Sequence, residues 1–309
     1  MHTSKIFVLI FIATFSVFLS CKDEPVEYES NDCKMQPPFI KSLGFNPNNA
    51  ALSTSANKKM GLVLIELNNA GDTGMKGKKL YQHPSWSSAG SLGPIQLIAD
   101  GSCFLAPVPM INLINNPVNK QNIIYKVDAI NGEMKTFAEL PALDSITPFN
   151  PYGILGLAYL CESNILYTSS VYGSTRVKEN GCIYAIDAAT GNIIDKINNI
   201  DAIGIGISYM GDKRKLYYGS ARSSSIYSIE LNEKGAFKGT ATFEFDIANL
   251  GPRGDDKVRR IRFDKKTGSM IIYGVEFNFN LTAPTEKQES LYYFSYNVDI
   301  NKWVHNKTN

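Results

Sequence analysis

Two kinds of hydrophobic pattern run along the chain. The first is a single unbroken apolar run, Ile6 to Phe18, behind a basic head at Lys5. The second begins after Pro38 and continues to the C-terminus as short stretches in which apolar and polar residues alternate, each closed by Gly, Asn, Asp or Thr. CIYAIDAATGNII, Cys182 to Ile194, shows one piece of it: a strand, a polar turn and a second strand. A period of two punctuated in this way predicts half-buried β-strands joined by tight hairpins.

The alternation is itself repeated. Segments beginning at Phe39, Ile95, Ile154, Gly204 and Val258 follow one plan: a strand, a polar hairpin, a second strand, then a third strand with a polar turn into a fourth. Their starts lie 56, 59, 50 and 54 residues apart, and the last unit ends with the chain. One small sheet cannot bury both faces, whereas neighbouring sheets can cover each other. The expected fold is therefore all-β, a β-propeller of four-stranded antiparallel blades. Five blades are read, with six the alternative if Lys79 to Pro94 or Leu140 to Tyr152 hides strands. A two-sheet sandwich would not require the same hairpin at the same place in every unit.

Propeller connectivity divides the loops between two faces. On one lie short turns, Ala99–Ser102, Glu162–Asn164, Gly211–Arg214 and Lys265–Gly268 between first and second strands, and Asp128–Gly132, Asp187–Asn192, Asn232–Gly235 and Asp299–Lys302 between third and fourth. Asp and Asn close such turns through their own side chains, and Gly accepts positive φ. On the other face the loops are long: Asn112–Gln121, Tyr172–Gly181 and Phe277–Glu289, with His83–Pro94, Pro141–Tyr152 and Asn249–Lys257 leading into the next blade. Long loops on a rigid scaffold are where binding concentrates.

Candidate binding residues on that face are His83, Trp86, Tyr172, Phe277 and Phe279, which offer flat apolar surface, and Arg176, Arg222, Arg253 and Asn278, which offer donors; Asn115, Asn116 and Asn280 add further amides. Aromatic planes beside amides and guanidinium groups suit a glycan or a peptide; the alternative is that Trp86 and the phenylalanines cap the core. Asn150, Asp201 and Asp256 stand just before successive inner strands and Glu276 ends a second strand, so all four are expected at the channel mouth. Such oxygens could hold a divalent cation or serve as catalytic acid and base.

The apolar run at the N-terminus covers about 13 residues, against the roughly 20 needed to span a bilayer as a helix, and so reads as a signal peptide. Removing residues 1–20 leaves 30 basic against 29 acidic side chains. That balance has no clustered basic excess of the kind nucleic acid requires. The expected organisation is residues 1–20 as signal peptide, 21–36 as tether and 37–309 as propeller. Cys33, Cys103, Cys161 and Cys182 remain beyond Cys21 and allow three disulfide connectivities; free buried thiols are the expectation.

Ser20-Cys21, directly after Leu19, resembles a bacterial lipobox, which implies that Cys21 is acylated and anchors the protein in membrane lipid. Lys22-Asp23-Glu24 is similar to a signal that carries lipoproteins to the outer membrane. The repeat as a whole resembles bacterial propeller lipoproteins and, more loosely, the strictosidine-synthase and gluconolactonase superfamily. YAIDAATG, Tyr184 to Gly191, resembles the blade motif of quinone-dependent dehydrogenases; its counterparts YKVDAINGE and YSIELNEKG lack the tryptophans that would dock a quinone, so no cofactor is expected. Asp144-Ser145-Ile146 is similar to a bacterial O-glycosylation site, which implies Ser145 as the modified residue. Together these readings imply an envelope protein, anchored in the outer membrane, that binds a glycan, peptide or partner protein. The alternatives are a hydrolase or metal-dependent lactonase using Glu276, Asp201, Asp256 and Asn150, and a structural subunit of an envelope complex.

Overall fold

The computed structural model describes residues 33–55, 60–66, 79–109, 113–141, 150–210, 213–264, 266–280 and 289–309. Cys21 and Ser145 lie outside the described residues, as do Asn112, Gly211 and Lys265.

Five antiparallel sheets form a five-bladed β-propeller. The first is β1 (Ala50–Ser53), β2 (Val63–Glu66) and β3 (Lys79–Tyr81); the second is β4 (Leu92–Leu97), β5 (Cys103–Pro107), β6 (Ile123–Val127) and β7 (Met134–Glu139). The third is β8 (Ile154–Leu160), β9 (Ile165–Ser170), β10 (Cys182–Asp187) and β11 (Ile193–Asn198). The fourth is β12 (Ala202–Met210), β13 (Lys213–Ser220), β14 (Ser225–Leu231) and β15 (Phe237–Asp246), and the fifth is β16 (Lys257–Phe263), β17 (Met270–Val275), β18 (Ser290–Asn297) and β19 (Lys302–Thr308). In blades two to five each strand pairs with the next in sequence, as the repeat predicts.

Local chemistry explains the hairpins. The Asp128, Asp187 and Asp264 carboxylates each accept two turn N–H groups, at 2.8–3.0 Å, and Asn232 does the same with its amide oxygen. Between blades the strands present apolar faces: Phe104 and Ile124 meet Ile154 and Leu166, Leu160 and Ile183 meet Ile205 and Leu216, and Ile226 meets Val258 and Ile272. Gly156 is needed for this approach, because a Cβ there would collide with the Ile203 carbonyl. In blades two to five the inner strand slips register near its start, between Leu92 and Ile95, Ile154 and Gly156, Ala202 and Ile205, and Val258 and Arg260. A bulge at an equivalent position in four blades re-aims side chains at the same height of the channel.

The first blade departs from expectation. It shows three strands among the described residues, and Phe39, read as the start of a strand, lies in a short helix, Pro38–Ser42. Pro38 at the helix start fixes φ, and adjacent Phe39 and Ile40 are both buried, which a half-buried strand with its alternating sides would not do.

The cysteines also correct the sequence reading. Cys33 and Cys161 form a disulfide, while Cys103 and Cys182 are buried thiols. Burial pushes Cys182 up to about 11, so this thiol is not a nucleophile at neutral pH. The bridge, with Met35 N–H donating to the Ile98 carbonyl at 3.2 Å, fastens residues 33–36 to the short-turn face. These four residues, read as tether, belong to the folded body.

Candidate functional site at the channel

The first strands of all five blades border one central cavity of about 1100 Å³. Inner strands β4, β8, β12 and β16 run from the long-loop face to the short-turn face. At the long-loop mouth the cavity is bounded by Tyr152, Arg253, Glu276, Phe277 and Asn278; at the opposite end lie Lys34, Gln36 and Asp264. Of the candidate residues from sequence, Arg253, Glu276, Phe277 and Asn278 line the channel.

The segment Phe277–Asn280 of blade five reaches across this mouth. Phe279 is buried against Val171, Ile203 and Ala221 of blades three and four, Phe277 packs 5.3 Å from Tyr152, and the Tyr152 hydroxyl donates to the Asn280 carbonyl at 3.3 Å. Asn278 accepts the Asn280 N–H at 2.8 Å, which closes the segment on itself. Phe279 is thus a peg that holds a strap over the channel rather than open binding surface.

Arg222 secures the neighbouring loop. Its guanidinium lies 5.2 Å from the Phe279 ring, donates to the carbonyls of Thr175, Arg176 and Lys178 at 2.8, 3.1 and 2.6 Å, and pairs with Asp201 at 2.6 Å. Asp201 is buried; its carboxylate also accepts the Ser174 hydroxyl and the Gly181 N–H. Burial raises its pKa, outweighing Ser174 and Arg222, with Glu179 adding to the rise. Arg176 itself is exposed, and Tyr172 is buried.

Asn150 and Asp256 do the same work in blades three and five. Asn150 donates to the Val171 carbonyl at 2.7 Å and accepts the Tyr152 N–H at 2.9 Å. Asp256 accepts from Arg253 and, at 2.7 Å, from the Tyr292 hydroxyl, while Arg253 reaches on to the Gly274 carbonyl and Ser290 hydroxyl at 2.9 and 3.0 Å. Asn150 and Asp201 tie the entry of an inner strand to a second-to-third-strand connection, and Asp256 ties its entry loop to the third strand of its own blade through Tyr292. Asn150, Asp201 and Asp256 are therefore buried corner locks, and of the four expected at the mouth only Glu276 borders the cavity. Among the described residues no three His, Cys, Asp or Glu side chains gather to hold a metal ion.

The Asp256 lock makes stability pH-dependent. Burial opposes ionisation, but the hydrogen bonds from Arg253 and Tyr292 and the Arg253 charge outweigh it and hold Asp256 below the ordinary carboxylate range. A carboxyl lowered on folding stabilises above its unfolded pKa and loses that contribution as pH falls through the folded value. Asp256→Asn should lower unfolding free energy by about 2 kcal/mol at pH 7, with the difference shrinking in acid. Urea titrations at pH 7 and pH 3 check this; a pH-independent difference would contradict it.

His83 and Trp86 lie elsewhere. His83 accepts the Ser85 N–H at 3.2 Å and caps the short helical turn Pro84–Ser87, and Trp86 is wholly buried between blades one and two. Trp86 is a core residue rather than a binding plane because its indole N–H is satisfied internally, by the Gly132 carbonyl at 2.7 Å.

No family model and no curated protein matches the chain. Among solved structures it is similar to the hydrazine synthase of Kuenenia stuttgartiensis (13% identity, TM-score 0.44), covering 74% of this chain and 51% of that one. It is also similar to the Xyloglucan PUL GH43B of Bacteroides ovatus (9%, TM-score 0.41; 71% and 40%) and to a glucose dehydrogenase (12%, TM-score 0.43; 79% and 78%). The chain thus spans about half or less of the first two. Likenesses this distant say nothing of a shared reaction.

The most strongly charged wall of the channel was missed in sequence. β16 reads KVRRIRF, and Arg259, Arg260 and Arg262 all border the cavity with Lys34. The available signal lay in the equivalent inner strands: LGPIQL, ILGLAYL and AIGIGISYM carry no charge where β16 carries three arginines. Arg260 and Arg262 lie over one ring, Tyr273, at 4.8 and 5.5 Å. Burial, then Arg262, depresses both Arg260 and Lys34 below their usual values.

Proposed function

We propose that the protein is a lipid-anchored propeller of the bacterial cell envelope, held in the outer membrane by acylated Cys21, that binds a glycan or short peptide at the long-loop mouth of its channel without transforming it. The observation that carries this reading is the cavity of about 1100 Å³ itself, a size suited to a small ligand, with polar and aromatic side chains gathered at one mouth. The anchor's position supports it. Cys33, twelve residues beyond Cys21, is fastened to the short-turn face, so a tether leaving there directs the long-loop mouth away from the membrane.

Two measurements test the reading. Cells fed a fatty-acid probe should label the wild-type chain and not Cys21→Ala; equal labelling would refute the anchor. Detergent-extracted protein applied to glycan and peptide arrays should give hits that Asn278→Ala and Glu276→Gln weaken. An absence of hits, or hits indifferent to both changes, would place binding elsewhere.

A further inference from the structure

We infer that the channel is an anion site: Arg260, Arg262 and Lys34 recognise an oxyanion, a carboxylate, sulfate or phosphate group, carried by the ligand that enters at the long-loop mouth. This deepens the proposed function and rests on its placement of the ligand in the channel.

The charges on the cavity wall lead to this assignment. Five cations and three carboxylates border the cavity: Lys34, Arg253, Arg259, Arg260 and Arg262 against Asp264, Glu276 and Glu289. Glu289 is paired with Arg259 at 2.7 Å. Arg253 is paired with Asp256, and Glu276 lies near enough to act on that same guanidinium. The Asp264 carboxylate already accepts the Lys266 and Thr267 N–H groups and the Thr267 hydroxyl, at 2.9–3.0 Å. Among the described residues neither Arg260 nor Arg262 has a carboxylate in ion-pairing range. What both have is the Tyr273 face, which orients a guanidinium while leaving its N–H fork free for another partner.

Like charges gathered on one wall repel: Lys34 and Arg262 act unfavourably on each other at the short-turn end, and Glu289, the carboxylate that acts on Arg260, is already paired with Arg259. An arriving oxyanion relieves this repulsion and can accept two parallel N–H bonds from a guanidinium. The inner-strand bulge contributes as well. Where blades two to four hold Gly93-Pro94, Leu155 and Ile203-Gly204, blade five holds Arg259 followed by Arg260, so the shared backbone irregularity delivers charge to the channel in one blade alone. The resulting ladder runs from the mouth at Arg259 to Arg262 and Lys34 at the far end, which suits a slender molecule lying along the axis with its anionic group inward.

Calorimetric titration of the full mature protein at low ionic strength, with galacturonate, inorganic sulfate, inorganic phosphate and neutral galactose as probes, tests the inference. At least one anion should bind, with affinity falling as salt is added, and neutral galactose should bind at least tenfold more weakly than the best of the anions. The arms distinguish a carboxylate from a tetrahedral oxyanion as the preferred group. Arg260→Gln and Arg262→Gln should each weaken that anion by about tenfold, the loss of one charged hydrogen-bonding partner, while the exposed Arg176→Gln should not. Lys34→Gln, outside any strand, serves as the variant least able to disturb folding and should weaken binding several-fold. Anion binding unchanged in all three variants, or no anion binding at all, overturns the inference. If array hits at the mouth are lost in Asn278→Ala yet are neutral and insensitive to Arg260→Gln, the anion site fails while the proposed function stands; if no ligand reaches the channel, both fail.

Discussion

Trp86→Ala is expected to lower unfolding free energy by about 4 kcal/mol, the cost of emptying a large aromatic from a close-packed site. Trp86 has no exposed surface, and it packs 5.6 Å from Tyr81 and 5.9 Å from Phe39. Two further bonds make the position more than a filled volume. Its indole N–H donates to the Gly132 carbonyl of blade two, and its own carbonyl accepts the Leu62 N–H of blade one at 3.4 Å. Truncation removes the apolar contact and leaves the Gly132 carbonyl without its donor. Blade one has only three described strands with which to absorb that loss. Urea unfolding followed by tryptophan-independent circular dichroism measures it. A midpoint within error of wild type would show that Trp86 is not part of the core, and Trp86→Phe, which keeps most of the volume, should recover more than half of the loss.

Trp86 also marks where sequence reasoning reaches its limit. Blades two to five were legible because their determinants are local: polar turns led mostly by Asp or Asn, a glycine or asparagine at positive φ, and short apolar strands on either side. The first blade was not, since Pro38 and the adjacent Phe39 and Ile40 are the sole local signs of its five-residue helix, and nothing local distinguishes a tryptophan that closes a core from one that faces a ligand. Asn150, Asp201 and Asp256 were found for a sound reason, their equivalent place before inner strands, but that recurrence is the mark of a structural lock repeated with the blade. A binding group is more often present in one unit and missing from the rest. By that criterion the arginines of KVRRIRF were the anomaly, visible only when β16 is set against the uncharged inner strands of blades two to four. The strap over the mouth depends on Phe279 crossing to blades three and four, a contact no repeat alignment can disclose.

Loss of the Cys33–Cys161 bridge is the second large effect. Its half-cystines stand 128 residues apart in sequence. Closing a loop of that length removes much of the freedom of the unfolded chain, so Cys33→Ser should lower unfolding free energy by about 4 kcal/mol. Cys161→Ser should cost the same, and the double variant no more than either alone, because one bond is lost in every case. The native state should change little. Phe39 N–H still donates to the Ala129 carbonyl at 3.1 Å and Met35 to Ile98, so residues 35–39 keep a foothold on the short-turn face of blade two. Reductant should lower the wild-type melting temperature to that of the variants and leave theirs unmoved, while the buried thiols Cys103 and Cys182 contribute nothing to this difference. A reductant-insensitive wild type would show that the bridge does not form. Lys34 follows Cys33 directly, so the same bond that restrains the unfolded chain also fixes the ammonium group at the far end of the arginine ladder. Breaking it should therefore weaken anion binding by more than it disturbs the blades.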